Sequence, residues 1–181
     1  KKVGILAATN QGVILAEIAA KKGEEIAFIA TLHNDNQSNI EKIKETAKES
    51  SIEYVHRVDV NDKSFVDFLR ESNIDIIFLC WWPQILKKTV LDSVNDGFVN
   101  VHPSYLPYGR GKYAYFWAIH EGFPFGVTIH LVDEGIDTGP ILFKRKIDID
   151  FNDSGEDLYK KGLSESIKIF SDKFSDIVSG N

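Results

Sequence analysis

The chain has little of what marks secreted, membrane-spanning or nucleic-acid-binding proteins. Its 181 residues include a single cysteine, Cys80, so no internal disulfide can form. No apolar run approaches the roughly 20 residues that cross a bilayer, and no basic start with a long apolar core indicates a signal peptide. The formal net charge of −6 contrasts with the basic face that is usual in nucleic-acid-binding proteins. We therefore expect a cytoplasmic protein without a membrane or nucleic-acid partner.

The chain also lacks the glycine-rich turn of dinucleotide-binding folds. Residues 7–12 read Ala-Ala-Thr-Asn-Gln-Gly, with one glycine where a Gly-x-Gly-x-x-Gly turn needs three. Asp35 lies near the acidic position that such folds place after their second strand, so an oxidoreductase stays open as an alternative that the missing glycines argue against. His102, His120 and His130 have no recognisable ligand spacing, and we predict no catalytic metal.

What the sequence does have is a regular alternation of apolar and amphipathic segments, which predict strands and helices respectively. In chain order the predicted elements are strand 2–8, helix 11–22, strand 26–31, helix 39–50, strand 53–58, helix 62–71, strand 74–80, helix 85–94, strand 97–102, helix 113–121, strands 125–132 and 140–149, and helix 154–178. This alternation predicts an α/β protein with a Rossmann-like open, mostly parallel sheet and helices on both faces. No repeat or linker interrupts it, so we expect one domain over residues 1–181.

Three polar residues suited to transferring a carbonyl group lie in or beside the later strands. Asn100 and His102 are two apart, so on a strand they point to the same face, and Pro103 ends that strand. An amide and an imidazole that project together can donate hydrogen bonds to one oxygen, as an oxyanion requires. Asp137 follows Gly135 in a turn and can orient an imidazole or accept a proton. Each residue alone has an ordinary structural explanation, so the prediction depends on all three together.

Three segments around these residues carry a specific combination of motifs. Residues 100–111 read Asn-Val-His-Pro-Ser-Tyr-Leu-Pro-Tyr-Gly-Arg-Gly, residues 126–130 read Gly-Val-Thr-Ile-His, and residues 135–141 read Gly-Ile-Asp-Thr-Gly-Pro-Ile. The combination resembles the formyltransferase family that uses 10-formyltetrahydrofolate, which includes glycinamide ribonucleotide, methionyl-tRNA and sugar N-formyltransferases. The resemblance is dense over residues 74–147, whereas the N-terminal part is similar in architecture more than in motif.

The resemblance implies an enzyme that moves a formyl group from 10-formyltetrahydrofolate directly to a neutral primary amine. The family's catalytic asparagine, histidine and aspartate carry over to Asn100, His102 and Asp137. In that scheme Asn100 and a protonated His102 stabilise the oxyanion, and Asp137 orients the histidine or a water and assists proton movement. The residues implied to enclose the folate are Trp81, Trp82, Ile85, Leu86, Leu131, Val132, Asp133 and Gly135. For the two tryptophans, a role as packing anchors is an equally good explanation.

The acceptor amine is not fixed by the resemblance. Residues 108–119 are most similar to the sugar N-formyltransferases, which favours a nucleotide-linked amino sugar. Tyr105 offers a stacking surface, and Arg110 and Lys112 can meet a phosphate. Other aromatic residues that can supply stacking surfaces are Tyr108, Tyr113, Tyr115 and Trp117. For Phe116, Trp117 and Ile119 the core face of a helix is the better explanation.

The first loop bears on the alternatives. Thr9, Asn10 and Gly12 stand at a predicted helix start, which can hold an anion. The glycine-rich phosphate loop of the ribonucleotide enzymes is mostly missing, so a purine-pathway enzyme is the alternative rather than the first choice. The tRNA enzymes carry a further domain and need affinity for a phosphate backbone, which an acidic chain of this length fits less well. A non-catalytic domain that binds folate or nucleotide also stays open, and a homodimer is allowed.

Overall fold

The computed structural model describes residues 1–180, except for the side chain of Arg57, and its elements alternate as predicted. The last residue of the expected domain lies outside the described part. The strands are β1 Val3–Ala7, β2 Ile26–Leu32, β3 Glu53–Val58, β4 Ile76–Cys80, β5 Phe98–His102, β6 Phe125–Leu131 and β7 Ile141–Ile147. The helices are α1 Thr9–Ala20, α2 Gln37–Glu49, α3 Lys63–Glu71, α4 Lys88–Leu91, α5 Ala114–Glu121 and α6 Gly155–Ser179.

All the strands belong to one sheet, in the order β3-β2-β1-β4-β5-β6-β7. The first five strands are parallel, and β6 and β7 are added antiparallel at one edge. The prediction of an α/β, mostly parallel sheet is therefore confirmed. The chain moves outward from β1 to β3 and returns to place β4 on the other side of β1, so the direction of winding reverses between β1 and β4. In such sheets ligands bind beyond the carboxyl ends of the strands at this reversal.

Two apolar cores hold helices against the two faces of the sheet. On one face, α1, α2 and α6 pack against the central strands, with Leu15, Ile43 and Phe170 among the buried contacts. On the other face, α3 and α4 contribute Phe65 and Val90. Burying the central strands on both faces is what parallel sheets require, and it explains why their sequences are continuous apolar runs. The prediction of helices on both faces is confirmed.

The predicted helix 85–94 is wrong for most of its length, because only Lys88–Leu91 is helical. The side chain of Asn61 accepts a hydrogen bond from the Lys87 N–H at 2.9 Å and donates one to the Ile85 carbonyl at 3.0 Å. These two backbone groups are therefore bonded to the β3–α3 loop rather than to a helical turn. Residues 81–87 form an irregular segment that leaves the end of β4.

Helix α5 packs the opposite way from the prediction. Phe116, Trp117 and Ile119 are 51%, 44% and 43% exposed, so they do not form its core face. The helix instead buries its two alanines, Ala114 and Ala118. Small side chains let the helix backbone approach its neighbours closely, and Ala118 accordingly packs with Phe125 and Leu158 in a third small cluster.

Helix α6 is the 25-residue element that closes the α1 face of the sheet. It begins with a capping box, in which Ser154 accepts from the Asp157 N–H while the Asp157 side chain accepts from the Ser154 N–H. Its buried face includes Phe170 and Phe174, which pack against Phe78 of β4. Neither α6 nor any other helix within residues 1–180 is both long and apolar enough to cross a membrane.

We expect Gly12→Ala to destabilise the protein through a single contact. An added Cβ at Gly12 would lie 2.3 Å from the Cys80 carbonyl oxygen, which is backbone and cannot rotate away. Overpacking of this kind typically lowers the free energy of unfolding by about 1–3 kcal/mol. Chemical denaturation measures the change. Asn10→Ala, at an exposed position of the same helical turn, serves as the control and should change stability by less than about 0.5 kcal/mol. Equal stability of the two variants would contradict the packing role of Gly12.

Candidate active site

The site is built at the carboxyl end of β5, where Asn100 and His102 project from one face of the sheet. Antiparallel pairing places His130 of β6 directly opposite Asn100, and Thr128 opposite His102. Val101, between the two, is buried in the core on the other face, as the alternation predicts. The pairing therefore presents an amide and two imidazoles on the same patch of sheet.

The carboxylate of Asp137 joins the two histidines. Its Oδ2 lies 3.4 Å from His102 Nε2, and its Oδ1 lies 3.5 Å from His130 Nε2. The Gly111 N–H donates to Oδ2 at 2.8 Å, which fixes the carboxylate from a third direction. The predicted convergence of Asn100, His102 and Asp137 at the rim of the sheet is thus found. Their catalytic roles stay predictions.

The loop after β5 folds back to hold His102. His102 Nε2 lies 3.0 Å from the Gly109 carbonyl oxygen, and since a carbonyl only accepts, this ring nitrogen carries the hydrogen. Gly109 has a φ of 65°, and a Cβ there would lie 3.0 Å from Ala114 Cβ. A residue with a side chain would therefore be both strained and crowded at the position whose carbonyl orients His102.

The sequence-based prediction did not include His130 in the site. His130 is 1% exposed, its Nδ1 donates to the Leu131 carbonyl at 2.8 Å, and its Nε2 lies 3.3 Å from Asn100 Nδ2. By sequence alone, a histidine beside Ile129 in an apolar strand pattern indicates no more than an alternating strand residue. The pattern that could have revealed it is the antiparallel pairing of residues 98–102 with residues 125–131, which puts residue 130 opposite residue 100.

Burial and charge oppose each other at His102. Desolvation lowers the pKa of His102, and the neighbouring His130 charge lowers it further, while Asp137 and the Gly109 carbonyl raise it; the net pKa lies below the ordinary value of 6.5. The free protein therefore holds His102 neutral near pH 7. The imidazolium that the resemblance implies would have to form during the reaction.

Asp137 stays ionised although it is largely buried. Burial by itself would raise the pKa of Asp137, but the hydrogen bond with His130, the charge of His102 and the Gly111 N–H together lower it below 3.8. A fixed negative charge beside two imidazoles is suited to stabilising an imidazolium.

A cleft of about 480 Å³, which we call the first cleft, opens on one side of these residues. Asn100, His102, His130 and Asp137 form its base. Of the predicted folate contacts, the first cleft includes Trp82, Ile85, Leu86, Val132, Asp133 and Gly135. Its walls are mainly apolar, as flat aromatic ligands require.

Two predicted folate contacts lie elsewhere. Leu131 faces the opposite side of the sheet, where it lines a separate hollow with Leu142, so only its carbonyl reaches the site, through His130. Trp81 lines a second cleft of about 380 Å³ rather than the first. A φ of 58° at Trp81 turns the chain as it leaves β4, which places consecutive tryptophans in different surroundings.

The second cleft meets the first at Asn100 and His102. The residues that line both are Trp82, Pro83, Asn100, His102, Gly111 and Lys112. The remaining walls of the second cleft are largely aromatic: Trp81, Tyr113, Tyr115 and Tyr159, with Thr9. Asn100 and His102 are therefore reachable from two directions, which is the arrangement needed to bring two different molecules together.

Several residues of these clefts have strained backbones. Four residues of the clefts that are not glycine have φ values of 51–64°, in the left-handed region: Thr9, Trp81, Tyr113 and Asp137. Each such residue costs about 1–3 kcal/mol and persists only where the surrounding structure imposes it. Thr9, Trp81 and Tyr113 line the second cleft and Asp137 the first, so the strain is concentrated where ligands would bind.

The prediction that the start of α1 holds an anion stays a prediction, and the structure shows that one of its amides already has a partner. The Thr9 N–H donates to Asp35 Oδ2 at 2.9 Å, so the protein's own carboxylate occupies this amide. Asp35 is held in turn by the Asn39 side chain at 2.9 Å. Gly12 is buried and its N–H bonds to the Ala8 carbonyl, while Asn10 is exposed and lies in neither cleft. Of the three, Thr9 alone lines a cleft.

Of the other predicted acceptor contacts, one lies at the site and two lie outside it. Lys112 lines both clefts and is the residue of this group that the structure brings to the site. Tyr105 packs under Lys144, whose ammonium lies 4.3 Å from the ring centroid, and Arg110 is exposed; neither borders the two clefts. Tyr105 also lies against Gly126, where an added Cβ would meet its ring at 2.9 Å.

Metal and thiol chemistry find no candidate group in the described part of the chain. Within residues 1–180, no three or more His, Cys, Asp or Glu side chains are grouped so that they could hold a metal ion. Complete burial raises the pKa of the Cys80 thiol far above its ordinary value. Cys80 is therefore a protonated core residue, in agreement with its position in β4.

We expect the His102 imidazole to titrate below pH 6.5, and lower still in Asp137→Asn, because that change removes the charge that favours the imidazolium. Asp67→Asn, on the surface of α3, should leave the midpoint unchanged. Proton or nitrogen NMR of the ring measures each midpoint, and a midpoint above 6.5 in the wild type would contradict the assignment. Since the folded-state pKa is the lower one, the stability that neutral His102 contributes is present above pH 6.5 and is lost as the pH falls through the folded-state pKa.

The chain is similar to curated formyltransferases. It is 32% identical to the methionyl-tRNA formyltransferase of Agathobacter rectalis over 159 residues, which cover 84% of this chain and 51% of that protein. It is 34% identical to the methionyl-tRNA formyltransferase of Clostridioides difficile over 140 residues, which cover 77% of this chain and 45% of that protein. The chain thus spans about half the length of the curated relatives it matches.

Solved structures share the fold over nearly the whole chain. The phosphoribosylglycinamide formyltransferase of Bacillus halodurans superposes with a TM-score of 0.81 at 28% identity, covering 99% of this chain and 96% of that one. A sugar N-formyltransferase from a Shewanella species superposes with a TM-score of 0.76 at 23% identity, covering 99% of this chain and 70% of that one. Residues 6–173 match the family described as Formyl transferase. The chain belongs to the formyl transferase family.

Proposed function

We propose that this chain transfers a formyl group from 10-formyltetrahydrofolate to a primary amine, and that residues 1–181 are its catalytic domain. The observation that carries the proposal is the meeting of two clefts at Asn100 and His102. One cleft can hold a donor and the other an acceptor, with both reacting groups at the same pair of side chains. The first cleft is assigned to the donor because it is lined by six of the eight residues that the family resemblance implies for the folate, whereas the second cleft is lined by two of them.

The donor cleft contains groups suited to a reduced folate. Trp82, Leu86 and Val132 offer apolar surface to a flat ring. The Trp82 Nε1–H is buried and has no hydrogen-bond partner within residues 1–180, so a ligand acceptor that reached it would remove an unsatisfied donor. When bound, the folate supplies an electrophilic formyl carbon.

The three polar side chains divide the remaining work. The Asn100 amide donates to the oxygen on which negative charge develops. His102 starts neutral with its hydrogen on Nε2, so Nδ1 is the ring nitrogen left to accept the proton of the attacking amine. The charge of Asp137, 3.4 Å from Nε2, favours the imidazolium that results. The same proton then passes to the folate nitrogen as its bond to the formyl carbon breaks, which leaves His102 neutral and releases tetrahydrofolate.

A nucleotide-linked amino sugar is our proposed acceptor. The second cleft offers aromatic faces from Trp81, Tyr113, Tyr115 and Tyr159, which suit a base or the apolar face of a sugar. Lys112 is the cation placed to meet a phosphate near the reacting centre. The α1 amide that would receive a phosphate in a purine-pathway enzyme is bonded to Asp35, which argues against a phosphoribosyl acceptor.

Methionyl-tRNA is the second candidate acceptor. The curated relatives at 31–39% identity are methionyl-tRNA formyltransferases, and that similarity favours it. The net charge of −6 argues against it, because a tRNA acceptor needs basic surface. The proposed cytoplasmic location is compatible with all three acceptors.

We expect His102→Ala and Asp137→Ala each to lower kcat at least a hundredfold while the protein stays folded. One removes the proton acceptor and the other the charge that stabilises its protonated form, and loss of a single group of this kind typically costs about 10²–10³ in rate. Release of tetrahydrofolate measures turnover, and circular dichroism checks the fold. His120→Ala, an exposed histidine of α5, is the matched control and should retain wild-type turnover. Near-wild-type turnover of either site variant would reject the role given to that residue.

An acceptor panel tests the choice of substrate. We expect tetrahydrofolate release with 10-formyltetrahydrofolate and a nucleotide-linked amino sugar, and at least a tenfold lower kcat/KM with phosphoribosylglycinamide or methionyl-tRNA. A preference for either of the last two would overturn the acceptor but not the transfer reaction. No release with any amine, despite binding of tetrahydrofolate, would favour a non-catalytic folate-binding domain.

A further inference from the structure

One wall of the donor cleft is an irregular segment with few bonds of its own. Residues 81–87 leave β4 and reach α4 without helical or strand structure. Trp82 and Leu86 anchor the segment because both are buried, at 8% and 3% exposure. Between them Ile85 is 62% exposed and borders the cleft. Packing alone therefore fixes the two anchors but not the part of the segment that meets a ligand.

Hydrogen bonds from the β3–α3 loop supply what packing does not. Asn61 donates from Nδ2 to the Ile85 carbonyl at 3.0 Å and accepts at Oδ1 from the Lys87 N–H at 2.9 Å. The preceding residues of the two segments are also joined, because the Val60 N–H donates to the Gln84 side chain at 3.2 Å. The Asn61 side chain thus satisfies both a donor and an acceptor of the cleft wall.

The Asn61 side chain is itself held in place from below. The backbone N–H of Asn61 donates to Asp59 Oδ1 at 3.0 Å, and this bond fixes the turn that carries the side chain. The side chain is half-buried and borders neither of the two clefts. Any influence of Asn61 on a ligand is therefore exerted through residues 85–87.

We propose that Asn61 is a positioning residue for donor binding, which holds Ile85 and the cleft wall in the conformation that receives the folate. This inference rests on the proposed function, since it takes the first cleft to be the folate site. Without the Asn61 amide, water can satisfy the Ile85 carbonyl and the Lys87 N–H, because both residues are exposed. The fold persists, but the wall samples several conformations and the donor must order it on binding.

Position 61 separates binding from chemistry. Asn100, His102 and Asp137 are held by His130, Gly109 and Gly111 rather than by Asn61, so the reacting groups keep their geometry. Loss of Asn61 should therefore raise the KM for 10-formyltetrahydrofolate and leave kcat nearly unchanged. A purely structural role would instead lower the melting temperature and the activity together.

The test compares Asn61→Ala, Asn61→Asp and the control Asn152→Ala, whose exposed residue lies in the β7–α6 loop. Asp keeps an acceptor for the Lys87 N–H but cannot donate to the Ile85 carbonyl. We expect Asn61→Ala to raise the KM for the donor and the Kd for tetrahydrofolate about tenfold, because the donor must order the cleft wall when it binds. Asn61→Asp should give a smaller increase and Asn152→Ala none, with kcat within twofold throughout.

Hydrogen exchange gives a readout that needs no ligand. In the free protein, Asn61→Ala should speed exchange at the Lys87 amide, because its acceptor is removed, while the global unfolding transition shifts little. Unchanged KM and Kd in Asn61→Ala, with the wild type binding tetrahydrofolate, would overturn the positioning role alone. A wild type that binds no tetrahydrofolate would overturn both this inference and the proposed function. A parallel fall in kcat and stability would show a structural role instead.

Discussion

The carboxylate of Asp137 is the charge on which the whole site depends. It joins two imidazoles from neighbouring strands and a backbone N–H from the β5–α5 loop, so it ties together three separate parts of the chain. Without these partners, burial would favour the neutral form of the Asp137 carboxyl. Without Asp137, the two buried imidazoles would have no counter-charge when they are protonated. The loop that carries it accepts a φ of 51° at Asp137 to bring the carboxylate to this point. The backbone strain at Asp137 costs free energy, and the conformation persists because the surrounding structure imposes it.

The sheet explains why the reacting centre can be approached from two sides. β1 and β4 stay paired to their carboxyl ends, but the winding reverses there, so the segments that follow them run to opposite faces of the sheet. The second cleft lies where they separate, and Thr9 and Trp81 line it. The antiparallel strand β6 then places its own polar residue beside β5, and the donor cleft forms between the β4–α4 segment and the β6–β7 loop. Asn100 and His102 lie at the boundary of both clefts because β5 is the strand that separates them.

The sequence was sufficient for the architecture, which follows from local periodicity, and for the meeting of Asn100, His102 and Asp137, which follows from motifs; the catalytic roles of these residues stay predictions. It was not sufficient for contacts that depend on register or on unusual backbone angles. His130 was missed since only the antiparallel pairing with β5 places it opposite Asn100. Trp81 borders the second cleft and not the first, because its positive φ turns the chain as it leaves β4. Leu131 faces away because alternation along β6 gives the site to His130.

The start of α1 shows how one residue changes what a shared fold can bind. A helix start with free N–H groups attracts an anion, and the Thr9 amide would offer one beside the second cleft. Here the Asp35 carboxylate accepts from that amide and adds a negative charge beside it, so the Thr9 amide cannot also donate to a phosphate. The Thr9 hydroxyl donates its hydrogen to the Gln11 side chain, so towards a ligand its oxygen can only accept a hydrogen bond. This end of the second cleft therefore suits hydroxyl or amine donors, and a phosphate on the proposed acceptor would find its cation at the other end, where Lys112 lies.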